Sequence, residues 1–95
     1  MHRIRLGPPW EVVPLSDGRT RHTRRFGRPR TLGSAERVWL VAELHEGSEV
    51  TLDGKTLEAS ANFAADVTDR LQPRNELVII VPTDAAPDGV ALEIR

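Results

Sequence analysis

The sequence contains no cysteine. This absence excludes disulfide bonds, catalysis by a thiolate and metal sites with cysteine ligands.

Long hydrophobic runs are also missing: no apolar run approaches the roughly 20 residues that a membrane-spanning helix needs, so we expect no membrane association. Residues 1–5 lead into a Gly-Pro-Pro break instead of an apolar secretory segment. The sequence therefore predicts a cytoplasmic protein without a signal peptide.

Aromatic residues are scarce, with two Trp, two Phe and no Tyr. Sugar-binding sites and single-stranded nucleic-acid sites both use aromatic ring faces as stacking platforms. All four aromatic residues fall in segments with strand patterns, which predicts that they belong to the core: Trp10, Phe26, Trp39 and Phe63. Trp39 is the candidate exception, because its face of the strand ends in Glu43 and His45. Trp39, Glu43 and His45 are therefore the candidate ligand-binding residues.

The 95 residues allow one domain, residues 1–95. No segment shows sustained helical periodicity, whereas short runs with β character recur between Gly, Pro, Asp and Asn. The runs 37–44 and 77–81 are apolar on both faces, which is typical of central strands in a covered sheet. Residues 19–26 are polar on both faces and predict an edge strand or a loop, and residues 90–94 alternate like a half-buried strand. Seven or eight short strands indicate an all-β sandwich.

One hairpin can be predicted residue by residue. The pair Asp53-Gly54 favours a type I′ turn, since both residues tolerate positive φ. A two-residue loop places residues 50–52 opposite residues 55–57. The next pair would join Glu49 to Glu58, and like charges at short range are unfavourable, so we expect a short hairpin.

The net charge of −1 conceals a difference between the two halves of the chain. Residues 1–37 carry a net charge of +6 and residues 38–95 a net charge of −7. The basic half includes a run of arginines that is the candidate polyanion site, because Arg makes forked contacts with phosphate: Arg19, Arg21, Arg24, Arg25, Arg28 and Arg30. The alternative is that basic strands pair with acidic ones. In that case we expect the charges to offset each other and nucleic-acid binding to be weak.

No catalytic or metal-binding motif is present. The serines lack a nucleophile-elbow context, and the three histidines share no metal-ligand spacing and are expected at the surface or its boundary: His2, His22 and His45. Glycoside hydrolysis needs two carboxyls about 5–10 Å apart, but the acidic residues mostly fall at outward or turn positions. The sequence predicts a protein that is not an enzyme and has no metal or cofactor.

Several segments occur in an order that resembles a known family. They are Arg25-Phe26, the apolar strand 38–44, the hairpin 49–55, the corner Asp66-Val67-Thr68 after Phe63, and the strand that starts at Asn75-Glu76-Leu77. With this order the chain resembles the N-terminal sugar-binding domain of family 2 glycoside hydrolases. The resemblance implies a galactose-binding-like jelly roll of two antiparallel sheets. The catalytic carboxylates of that family lie in a separate domain, so it also implies a non-catalytic module.

Three functions follow from these patterns. The first prediction is a stand-alone sugar-binding-like module whose ligand is unknown. The second is a protein-interaction or homo-oligomerisation domain, because the outer faces of the two doubly apolar strands need covering. The third is weak polyanion binding through residues 19–30.

Overall fold

The computed structural model describes residues 2–29, 33–58, 60 and 62–95. Within these residues the chain forms nine strands: β1 (His2–Arg5), β2 (Glu11–Pro14), β3 (Thr20–Gly27), β4 (Val38–Glu43), β5 (Glu49–Leu52), β6 (Lys55–Leu57), β7 (Asn62–Asp66), β8 (Arg74–Val81) and β9 (Asp88–Ile94). A 3₁₀ turn covers Thr68–Arg70. No helix in the described part of the chain is long and apolar enough to cross a membrane.

The strands form two antiparallel sheets. One has four strands in the order β1-β9-β4-β7, and the other has five in the order β2-β3-β8-β5-β6. With β2 set aside, the first strand lies beside the last, and successive strands alternate between the sheets except at the β5–β6 hairpin. This strand order is that of a jelly roll. The predicted all-β sandwich of two antiparallel sheets is confirmed.

The core lies between the sheets and consists of the inward-facing residues of the alternating strands. Its most deeply buried large side chains are Val38, Leu40, Val50, Leu52, Val67, Leu77, Ile79, Val81 and Leu92. The aromatic residues follow the prediction only in part. Phe63 is buried, whereas Trp10 and Phe26 are half-buried and pack against the core from its border.

Trp39 is not in the core, and the prediction that it belongs there is wrong. The inward face of β4 is occupied by Val38, Leu40 and Ala42. Alternation along the strand therefore places Trp39 on the outer face of the four-stranded sheet. The guanidinium carbon of Arg95 lies 4.7 Å from the centroid of the indole ring and covers it.

Strand β3 is more central than its polar sequence suggests. It pairs with β8 along its whole length and with β2 over its first four residues. Two polar side chains on its inner face are buried, and both are hydrogen-bonded to backbone carbonyls of the loop before β9. The Thr20 hydroxyl donates to the Thr83 carbonyl at 2.9 Å, and His22 Nε2 is hydrogen-bonded to the Ala85 carbonyl at 3.2 Å. The prediction of an edge strand or a loop is therefore wrong for the first half of β3. The prediction that His22 lies at the surface or its boundary is also wrong.

Strand β9 is also more buried than its alternating pattern predicts. It lies between β1 and β4, and every residue from Val90 to Ile94 is buried. On the outer face, Glu93 is covered from two sides: its carboxylate lies 3.5 Å from Arg3 Nη1 and 2.8 Å from Arg95 Nη2. Long arginine side chains thus cover a sheet face that the sequence pattern assigns to solvent.

The β5–β6 hairpin forms in the predicted register, with Thr51 opposite Thr56. Asp53 and Gly54 have φ values of 51° and 80°, as a type I′ turn requires. Strand β6 ends at Leu57, one residue before the predicted like-charge pair. Each of these features depends on residues that are close in sequence, which is why the pattern predicts them.

Gly54→Ala should lower the free energy of unfolding by about 1 kcal/mol, because a β-carbon disfavours positive φ. No atom lies within 4 Å of the β-carbon position at Gly54, so the cost comes from the backbone alone. Gly7 is the matched control, since it also has open space but no positive φ. Urea unfolding of Gly7→Ala should show no loss of stability. Equal free energies for the two variants would contradict the turn conformation.

Candidate functional site

Three surface depressions meet where β9 begins. The first, about 350 Å³, lies between β1 and the loop before β9 and is lined by Arg3, Arg5, Pro8, Trp10, Pro87 and Asp88, among others. The second, about 250 Å³, lies on the outer face of the four-stranded sheet and shares Arg3 and Gly89 with the first. The third, about 430 Å³, shares Pro87 and Asp88 with the first and Glu43 with the second. We call this region the β9 site, defined by Arg3, Arg5, Trp10, Glu43 and Asp88.

The backbone at the start of β9 shapes the site. Gly89 has a φ of 59°, and the Asp88 carboxylate accepts a hydrogen bond from the Gly89 N–H at 2.8 Å. The pairing of β4 with β9 shifts between Val41 and Glu43. Irregularities of this kind redirect side chains at the end of a strand pair. Here the shift places Glu43 opposite Asp88, and both line the third depression.

Trp10 supplies the aromatic surface of the site. It lies between the Gly-Pro-Pro segment and the first residue of β2, and part of its ring packs against the core. Its Nε1–H donates to the Leu6 carbonyl at 3.1 Å. This hydrogen bond fixes the orientation of the ring and uses its N–H, so the indole offers a ligand an apolar surface.

Arg3 and Arg5 supply the hydrogen-bond donors. Both are exposed and alternate to the outer face of β1, away from the half-buried Ile4. Arg3 lies opposite Glu93, and its two contacts, with the Glu93 carboxylate and the Gly89 carbonyl, are both 3.5 Å long. Arg5 has no side-chain hydrogen bond or ion pair with any described residue. Most of the N–H groups of these two guanidinium groups therefore remain available.

Asp88 and Glu43 supply the acceptors. Neither carboxylate forms an ion pair within the described residues, and Asp88 uses one oxygen on the Gly89 N–H. No group of three or more His, Cys, Asp or Glu side chains in the described residues is arranged to hold a metal ion. The site thus combines an apolar ring surface, guanidinium donors and carboxylate acceptors in open depressions.

The structure brings together only part of the predicted ligand site. Glu43 and His45 line the third depression, but Trp39 lies elsewhere on the sheet under Arg95. Sequence reasoning missed the contributions of Trp10, the β1 arginines and Asp88. One signal was available, since a tryptophan that directly follows Gly-Pro-Pro is more typical of a loop than of an alternating strand.

The arginine run does not form a single basic surface. Two of its members are paired with acidic residues, as expected if basic strands pair with acidic ones. Arg19 lies 2.7 Å from Asp17 and 2.8 Å from Glu49. Arg25 lies 3.0 Å from Glu76 and 3.8 Å from Glu11. Arg24 donates to the Gly7 carbonyl at 2.7 Å. Arg21 and Arg28 have no ion pair with the described residues, and Arg30 lies outside them. Two of the five described arginines of the run are therefore neutralised by acidic residues, and the other three form no ion pair with the described residues.

A larger depression of about 720 Å³ lies at the other end of β3, beside the β5–β6 turn. Several of its polar groups already contact one another. Arg25 pairs with Glu76 at 3.0 Å, and the Asp53 carboxylate accepts the Glu76 N–H at 2.7 Å. It therefore leaves fewer free groups for a ligand than the β9 site does, despite its volume.

No protein-family model matches the chain, and no curated protein is significantly similar to it. The resemblance to the sugar-binding domain of family 2 glycoside hydrolases therefore stays a prediction. Function is therefore inferred from the geometry of the β9 site.

Proposed function

We propose that this chain is a non-catalytic carbohydrate-binding module and that the β9 site holds the sugar. The observation that carries the proposal is that the Trp10 ring, the β1 arginines and the two carboxylates line three adjoining depressions that share residues with one another. A sugar ring presents C–H groups on its faces and hydroxyls around its rim. An indole surface covers the C–H groups, and charged side chains bind the hydroxyls, so the site provides both kinds of contact.

The fold and the character of the depressions support the same proposal. The jelly-roll strand order is the one that the resemblance to sugar-binding domains implies. A glycosidase also requires an enclosed carboxyl pair with one member held protonated. The depressions of the β9 site are open to solvent, which favours binding without catalysis.

The two alternative functions receive less support from the described surface. Protein-docking faces usually expose contiguous apolar patches, but Val12, with an exposed fraction of 53%, is the one large hydrophobic residue that is exposed among the described residues. The outer face of β4, which we expected to need a partner, is covered in part by Arg95 on Trp39. Polyanion binding needs several free cations on one surface, and the arginine run is partly neutralised.

Calorimetric titration with a panel of neutral and acidic oligosaccharides tests the proposal. Asp88→Asn should weaken binding of any sugar that binds by roughly tenfold or more, because hydrogen bonds to charged groups contribute about 1.5–3 kcal/mol each. The amide oxygen of Asn can still accept the Gly89 N–H, so the backbone is expected to keep its conformation.

Asp84→Asn is the matched control, because Asp84 is exposed and does not line the β9 site. It should leave the affinity unchanged. The proposal fails when no sugar in the panel binds at millimolar concentration, or when both substitutions weaken binding equally.

A further inference from the structure

We infer that the ligand of the β9 site is an acidic sugar, whose carboxylate is bound by Arg5 together with Arg3. This inference rests on the proposed carbohydrate-binding function and specifies the class of sugar. The observation behind it is the difference between the two arginines of β1. Arg3 has a counter-charge directly opposite it on β9, namely Glu93, whereas Arg5 lies opposite Ala91.

No other described group neutralises Arg5. Its neighbour across the strand pair is a fully buried alanine, and its guanidinium forms no ion pair or hydrogen bond with the described residues. In the first depression, the guanidinium groups of Arg3 and Arg5 are the side-chain hydrogen-bond donors open to a ligand, because the Trp10 N–H already donates to the Leu6 carbonyl. A guanidinium binds a planar carboxylate through two parallel hydrogen bonds, which a hydroxyl group does not match.

The acidic residues on the other side of the site fix the orientation of such a ligand. Asp88 and Glu43 would repel a carboxylate, but they accept hydrogen bonds from hydroxyls. An acidic sugar would therefore place its carboxylate toward β1 and its hydroxyls toward the start of β9. The first depression holds both arginines together with Asp88, whereas the third holds Asp88 and Glu43 without an arginine. Positive charge in the site therefore lies toward β1, and negative charge increases toward the third depression.

The inference is tested by calorimetric titration near 0.15 M salt, which compares the affinity of each acidic oligosaccharide with that of its methyl ester. The acidic oligosaccharides are those of galacturonic, glucuronic and mannuronic acid. The ester removes the charge and keeps the ring. At least one acid should bind about tenfold more tightly than its ester, a difference of ~1.4 kcal/mol. Arg5→Gln should reduce this preference to near unity. Arg21→Gln, which removes an exposed arginine from the other sheet, should preserve it.

The possible failures are distinguishable. Equal binding of acids and esters would overturn the inference and leave the carbohydrate-binding function intact. An equal effect of Arg5→Gln and Arg21→Gln would show that the preference comes from diffuse charge, which also overturns it. Polyglutamate serves as a carboxylate without a sugar. If it binds as tightly as the acids, the proposed function fails together with the inference. If no acid or ester binds, the inference is overturned, and the proposed function fails with it only when no neutral sugar of the panel binds either.

Discussion

Asn75→Asp is expected to destabilise the protein by about 3 kcal/mol or more at neutral pH, because it buries an unpaired charge. Asn75 is 2% exposed at the second residue of β8. Its Oδ1 accepts the Gln72 N–H at 2.8 Å, and its Nδ2 donates to the carbonyls of Gln72 and Phe26 at 2.9 and 3.4 Å. A carboxylate has no N–H to donate and would place a buried charge against two carbonyl oxygens.

Asn62→Asp is the matched control for this prediction. It makes the same chemical change at an exposed position in β7, where water can solvate the carboxylate. Urea unfolding at pH 7 should show a smaller loss for Asn62→Asp, at most about 1 kcal/mol, because the new carboxylate lies opposite Glu43 but both side chains are exposed to solvent. The cost of Asn75→Asp should decrease at low pH, because a protonated carboxyl can donate one hydrogen bond. Similar losses for both variants would contradict the role assigned to Asn75.

Asp66→Ala is expected to cost about 2 kcal/mol, because the substitution removes several hydrogen bonds to a charged group. The Asp66 carboxylate accepts the Thr68 N–H at 3.1 Å and the Thr68 hydroxyl at 2.7 Å, and it pairs with Arg37 Nε at 2.9 Å. The same Thr68 hydroxyl accepts the Val38 N–H at 2.7 Å. Asp66 therefore links the end of β7 to the start of β4, as the predicted turn chemistry suggests.

The pH dependence of stability provides an independent test of Asp66. Hydrogen bonds from Arg37 and Thr68 lower the pKa of this carboxyl from 3.8 to about 2. A lowered folded-state pKa stabilises the native protein above the unfolded-state pKa, and this contribution disappears as the pH falls from about 4 toward 2. The lowering corresponds to roughly 2 kcal/mol at most, since the side chain is partly exposed.

The stabilities of wild type and Asp66→Ala should therefore differ at pH 7 and converge near pH 2. Asp84→Ala is the control, because Asp84 is exposed and forms no ion pair within the described residues. Its urea midpoint should match that of wild type at both pH values. Equal midpoints for Asp66→Ala and Asp84→Ala at pH 7 would show that Asp66 does not stabilise the corner.

Features that depend on neighbouring residues were predictable from the sequence. The type I′ turn at Asp53-Gly54 and the turn at Asp66 both follow from side-chain chemistry within a few positions. The two doubly apolar strands likewise indicated central positions in their sheets, and β4 and β8 occupy such positions. Strand order can be inferred only through a resemblance, because pairing between distant segments leaves little trace in one sequence.

The β9 site was not predictable for the same reason. Its residues come from three separate segments, 3–10, 43–45 and 87–89, which only the jelly-roll topology brings together. The prediction for Trp39 was wrong because a tryptophan in an apolar run is usually buried in the core. Here Arg95, the residue after the neighbouring strand β9, covers the ring on the outer face of the sheet. Burial of Thr20 depended on a carbonyl in the distant loop before β9.

An NMR titration of the ¹⁵N-labelled protein with the tightest-binding sugar of the panel locates the sugar on the surface of the domain. We expect the largest shifts at the backbone amides of Arg5, Asp88 and Gly89 and at the indole N–H of Trp10. Shifts centred on Arg25, Phe26 and Arg74 would place the ligand in the depression at the other end of β3. That result, or a spectrum that no sugar changes, would contradict a carbohydrate site at the start of β9.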